Sequence, residues 1–220
     1  MRSLGSRAIV TLGNHDLHLL AYALAPGKAR AEPALRPVLD APDCDELIGW
    51  LRSCPLAHHR PDLNWLMVHA GIVPNWDAAT TVSLAGEVQD RLRSTDCPAF
   101  LSSMYGNKPD RWSGDLAGDD RLRFIVNCLT RIRYLHPDGR LNFDEHGPLG
   151  SQPAPLIPWF DMPGRRTAAT RVLFGHWSSL GLVSRPDLLG LDTGCVWGRT
   201  LTAARIGPVP EITDVGCSGA

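Results

Sequence analysis

The chain has 220 residues, a formal net charge of −1 and 44% hydrophobic content. These values describe one globular domain with a sizeable core, and the near-zero charge excludes a global basic field for nucleic acid or an acidic membrane surface. No apolar run approaches the ~20 residues of a membrane helix, and Met1–Arg7 lacks the apolar stretch of a signal peptide, so the expectation is a cytoplasmic protein with no membrane or nucleic-acid partner.

In chain order, the apolar run Ala8–Leu12 reads as a buried strand. Leu17, Leu20 and Leu24 then repeat at helical spacing, and that helix should stop before Pro26-Gly27. Residues 26–42 are rich in Ala and Pro and read as a loop. Asp43-x-x-Glu46 has the pattern of a capping box for a short helix through Leu47, Ile48 and Leu51. Trp65–Val68 reads as a strand. Leu84, Val88 and Leu92 mark an amphipathic helix, and a further helix begins at Asp119-Asp120 with Leu122, Ile125, Val126 and Leu129 on one face.

Asp138-Gly139, between Tyr134-Leu135 and Leu141–Phe143, predicts a hairpin turn. Residues 147–164 are Pro-rich and read as a long connection. Arg171–Phe174 and Leu188–Leu191 are two more short strands, and the tail from Gly207 onward reads as poorly ordered. Cysteines 44, 54, 97, 128, 195 and 217 form no C-x-x-C pair, which predicts reduced thiols and no structural zinc site.

One pattern recurs. An apolar run stops, and Gly13-Asn14-His15, His69-Ala70-Gly71 or Gly175-His176-Trp177 follows. In open α/β sheets, sites gather beyond the carboxyl ends of strands. Asn14, His69 and His176 would therefore converge from distant parts of the chain. An amide oxygen and two imidazoles suit Mn, Fe, Co, Ni or Zn better than Ca or Mg. His18, His58, His59, His136 and His146 read as surface or structural residues. Tyr105 reads as a core aromatic, and Trp177 and Trp197 as buried packing.

Six blocks then carry a resemblance: Leu12–Leu20, His69–Ile72, Met104-Tyr105-Gly106-Asn107-x-Pro109-x-x-Trp112, Thr130-Arg131-x-Arg133-Tyr134, Phe174–Trp177 and Leu191–Gly198. In this order they resemble the calcineurin-like metallophosphoesterases. Most closely, they are similar to the bacterial symmetrical bis(5′-nucleosyl)-tetraphosphatases, over about residues 2–206. The resemblance implies an α/β metallophosphoesterase four-layer sandwich with two central mixed sheets flanked by helices. It implies hydrolysis of diadenosine tetraphosphate to two ADP at a site of two divalent metal ions.

By the same resemblance Asn14, His69 and His176 hold the second metal. His15 is the general acid, and Asp16 orients its loop. Arg131 and Arg133 clamp phosphate; their i, i+2 spacing puts both on one face of an extended segment. Asn107 and Trp112 line the nucleotide side. Asp192 hydrogen-bonds a ligand histidine from behind.

The family's two Gly-Asp blocks, which supply the first metal's ligands and the bridging carboxylate, occur nowhere in this sequence. Gly114-Asp115 continues neither motif. The expectation is a fold lacking its first strand-helix-strand unit, roughly 30 residues or more. Two readings follow. Either the native frame begins upstream of Met1 and the enzyme is active, or the chain is a nucleotide-binding remnant without catalysis. A protein phosphatase of the same superfamily is a third.

Overall fold

In a computed structural model of the protein, residues 1–25 and 33–218 are described. The predicted loop at 26–32 lies outside them. Helix α1 (Asn14–Leu24) buries Leu17 and Leu20, as its spacing predicts, while Leu24 at its end is only half-buried. A short turn α2 (Arg36–Leu39) follows where a loop was expected. Helix α3 (Cys44–Ser53) forms, but without the expected capping box. Arg2 takes both acids instead, Asp43 at 3.4 Å and Glu46 at 2.7 Å. Strands β1 (Ala57–Arg60) and β2 (Trp65–Val68) pair antiparallel.

Helix α4 (Ala78–Arg93) is capped by Asp77, whose side chain accepts from the Thr80 N–H at 2.8 Å. Such a cap contributes about 1 kcal/mol. Its inner stripe, Leu84, Val88 and Leu92, packs into the core between α5 (Cys97–Ser103) and α6 (Gly118–Arg131) on one side and α3 on the other. Helix α6 buries Leu122, Ile125, Val126 and Leu129 together. Strands β3 (Tyr134–Leu135) and β4 (Leu141–Asn142) form the predicted hairpin, and β5 (Ile157–Pro158) from the Pro-rich connection adds to its other edge.

Strand β6 (Arg171–Phe174) pairs parallel with β2. Strand β7 (Val183–Arg185) returns antiparallel against β8 (Leu188–Gly190), and β8 is itself parallel to β6. The result is a five-stranded mixed sheet of order β1-β2-β6-β8-β7. Its three middle strands run the same way, so their carboxyl ends share one edge. Among the described residues, the β4-β3-β5 sheet is wholly antiparallel and small. It is not the second large mixed sheet that was expected.

Three other expectations fail. Residues 8–12 form no strand. The Leu12 N–H donates to the Pro55 carbonyl at 2.8 Å, and no strand-to-strand ladder forms along the segment, so the extended run stays half-exposed, Ile9 included. The tail is ordered as β10 (Glu211–Gly216), antiparallel to β9 (Thr200–Arg205). Cys195 and Cys217 form a disulfide that ties this hairpin's far end to the turn before β9. That proximity in the fold overrides the expectation of free thiols, which holds for Cys44, Cys54, Cys97 and Cys128. No helix among the described residues is long and apolar enough to cross a membrane.

Candidate functional site

The parallel strands explain why distant residues meet. His69 follows β2, His176 follows β6 and Asp192 follows β8, all at one sheet edge. The Gly175 N–H donates to the His69 carbonyl at 2.8 Å, and Leu191 N–H to the Phe174 carbonyl at 3.0 Å, so the ladder extends into the turns. The two imidazole centroids lie 5.2 Å apart.

Helix α1 brings the third side chain. Gly13 caps it, and the Asp16 carboxylate accepts from the Gly13 N–H at 2.7 Å, which fixes the entry turn. Burial raises the Asp16 pKa above the usual carboxylate value, and the Gly13 bond opposes that shift. Asn14 Oδ1 then stands 3.1 Å from His69 Nε2. Glycine is required at position 13, because a Cβ there would sit 2.5 Å from the His69 ring.

His176 has φ +65°, a left-handed conformation that histidine adopts more readily than most residues. Its Nε2 lies 3.0 Å from the Arg131 carbonyl. A carbonyl only accepts, so Nε2 carries the proton and Nδ1 keeps its lone pair. Burial, together with the charges of His15 and Arg133, lowers His69 to about 4. Burial, reinforced by Arg133 and His69, lowers His176 to about 2. Both imidazoles are therefore neutral, the form that ligates metal.

The arginines arrive differently from expectation. Arg131 is the last residue of α6 and Arg133 lies just beyond it, so no extended segment aligns them; the helix end does. Together with Asn14, Phe143, His146 and His176 they wall a cleft of about 310 Å³. Arg131 is held by Asn127 Oδ1 at 2.7 Å and Asn107 Oδ1 at 3.0 Å, and stands 4.4 Å from the Phe143 ring centroid. Arg133 donates to the His176 carbonyl at 3.4 Å and lies 3.2 Å from His146 Nδ1, while its buried Nε is without a partner among the described residues. Burial lowers both guanidinium pKa values. Half-buried cations bonded only to neutral groups make a site for an anion.

His15 is exposed on the first turn of α1, at the rim of a neighbouring pocket of about 330 Å³. His18 and Tyr105 line that pocket too, His18 Nδ1 being 2.7 Å from the Tyr105 hydroxyl. Sequence reasoning passed over both. The signal was available for His18, which is three residues beyond His15 and so on the same helical face. Tyr105 is 41% exposed, not a core aromatic.

Other expected positions are displaced. Trp112 packs against Trp76 and Phe124 under the Arg121 guanidinium, away from the cleft. Asn107 reaches the site only through Arg131. Asp192 accepts from the Gly194 N–H at 3.2 Å rather than from a histidine, and its charge acts on Arg133. Trp177 is buried as expected; Trp197 is 73% exposed.

No family model matches the chain. Curated relatives do. The symmetrical bis(5′-nucleosyl)-tetraphosphatase of Thioalkalivibrio sulfidiphilus is 51% identical over 206 residues, covering 94% of this chain and 76% of the relative. Those of Paracidovorax citrulli and Ralstonia nicotianae are 55% and 50% identical, covering 89% and 98% of this chain and 71% and 76% of theirs. The chain belongs to the symmetrical bis(5′-nucleosyl)-tetraphosphatase family. A crystal structure provisionally assigned as a diadenosine tetraphosphatase shares the fold, with TM-score 0.59 and 22% identity, over all of this chain and 73% of that one. Asn14, His15, Arg131, Arg133 and His176 line one cleft and its adjoining pocket, His69 stands against Asn14 and His176, and Trp112 lies elsewhere.

Proposed function

We propose that the chain hydrolyses bis(5′-nucleosyl) tetraphosphates, diadenosine tetraphosphate among them, to two nucleoside diphosphates. The observation that carries this is the convergence of Asn14 Oδ1, two neutral imidazoles and two half-buried arginines at the carboxyl edge of β2, β6 and β8. Family membership supplies the substrate and its symmetric cleavage.

The donor set fits a divalent transition ion. Asn14, His69 and His176 would hold Mn, Co, Fe, Ni or Zn, which supplies neutralisation of phosphate charge and acidification of water. Arg131 and Arg133 bind phosphate oxygens, Arg133 with its unpartnered Nε–H. The N-terminus of α1 adds its backbone N–H groups to the same anion. His15, at the first turn of that helix, donates a proton to the departing phosphate oxygen. Asp16 holds the turn that carries it.

A second reading has support in one observation. Among the described residues, no group of three or more His, Cys, Asp or Glu side chains converges, so no carboxylate joins these three donors. On that reading the chain binds nucleotide and a single weakly held ion without turnover.

Kinetics separate the two. With Mn²⁺ and diadenosine tetraphosphate, His15→Ala should lower kcat by about 10²–10⁴-fold and leave Mn²⁺ affinity intact. His176→Ala should lose Mn²⁺ binding. A wild-type chain that binds the substrate and never turns it over would favour the second reading.

A further inference from the structure

The hollows around the metal donors share walls. The pocket of about 330 Å³ beside His15 has an apolar floor of Leu17, Met104 and Val126, and its inner wall is Asn14 and Arg131. Asn14 and Arg131 also face the central cleft, whose far side is Arg133 and His146. Arg133 and His146 in turn open onto a third hollow of about 290 Å³, edged by Trp197 and Arg199. The three form one groove with the candidate metal donors near its middle.

We infer that this groove binds a polyphosphate carrying a nucleoside at each end, one base entering the apolar-floored pocket beside His15 and the other stacking on the Trp197 indole. The inference rests on the reading of the central cleft given above, and assigns it two unlike nucleoside subsites.

Charge fits the middle. Arg131, Arg133 and Arg199 bond to amide oxygens, a histidine and carbonyls, and among the described residues none lies within ion-pair distance of a carboxylate. Most other arginines of the fold are paired with acids, so three unpaired ones along one groove mark an anion path.

Shape fits the ends. An indole 73% exposed is a large apolar face left in water. It is also rigidly presented. Trp197 closes a 3-10 turn flanked by Gly194 at φ +78° and Gly198 at φ +75°, and its N–H donates to the Gly194 carbonyl at 2.9 Å. The Cys195–Cys217 disulfide anchors the same turn. Stacking on such a face accepts any base, because every base has a π surface. The apolar-floored pocket, with the His18–Tyr105 pair on its rim, is the end that discriminates between bases.

Calorimetric titration in EDTA, which prevents turnover, tests this with inorganic tetraphosphate, adenosine 5′-tetraphosphate and diadenosine tetraphosphate. Affinity should rise at each step in the wild type. Trp197→Ala should weaken diadenosine tetraphosphate by about fivefold or more, the low end for loss of one base–aromatic stack, bringing it to the level of adenosine tetraphosphate. Binding of adenosine tetraphosphate itself should be little changed, and Trp197→Phe should retain most of the wild-type affinity for the dinucleotide. The indole is exposed, so an unchanged thermal melt is expected for both variants. Unchanged diadenosine tetraphosphate binding in Trp197→Ala would overturn the second subsite while leaving the proposed function standing. Failure of all three ligands to bind the wild type in EDTA would overturn both subsites, while failure to bind with Ca²⁺ or Mn²⁺ present as well would overturn the proposed function.

Discussion

His69 and His176 set the character of the site at the scale of single residues. Both are depressed, to about 4 and about 2, against an ordinary value near 6.5. The folded chain therefore holds them neutral while the unfolded chain protonates them as pH falls below 6.5. Their contribution to stability is whole above that value and is lost as pH falls from 6.5 toward 4, by at most about 1.4 kcal/mol per pH unit for each group. Asp16 is raised and acts with the opposite sign. Urea midpoints measured from pH 7.5 to 5 should fall for the wild type and fall less for the His69→Gln, His176→Gln double variant; parallel profiles would refute this. Gly13→Ala is the steric counterpart. A Cβ 2.5 Å from the His69 ring must displace it, and kcat should drop on the order of 10²-fold while the fold persists by circular dichroism.

Secondary-structure elements explain both what the sequence revealed and what it concealed. Trp65–Val68, Arg171–Phe174 and Leu188–Gly190 are legible because each is an apolar run buried in the middle of the sheet and stopped by a turn. The edge strand Ala57–Arg60 is His-His-Arg after its first residue, and only Ala57 is buried, so no period marks it. The β9–β10 hairpin carries little buried apolar surface, so β9 left no signal and β10, in the tail beyond Gly207, read as poorly ordered. Ala8–Leu12 shows the reverse error: strand composition without a ladder. The site followed the same division. The meeting of His69 and His176 beyond strand ends was legible, whereas Tyr105 and Trp197 are turn residues whose exposure depends on distant packing.

The hairpin's weak burial gives the disulfide a measurable role. Cys195 and Cys217 are separated by 22 residues, a closure worth about 3 kcal/mol in the chain-entropy account. Reduction, or Cys217→Ser, should speed amide hydrogen exchange across Glu211–Gly216 and leave β2, β6 and β8 protected. Equal protection of the hairpin in both redox states would show that its strand pairing suffices alone.

For the molecule as a whole, the mixed sheet and α1 serve one end: they bring an amide, two neutral imidazoles and two half-buried guanidiniums to a cleft with a nucleoside-sized hollow on either side. The central claim is that this assembly cleaves a dinucleoside tetraphosphate at its midpoint. Chromatographic analysis of the nucleotides formed from diadenosine tetraphosphate with Mn²⁺ tests it most directly. ADP should be the sole nucleotide product, and it should be lost in His176→Ala. AMP and ATP in equal amounts, or substrate that is bound and recovered intact, would contradict it.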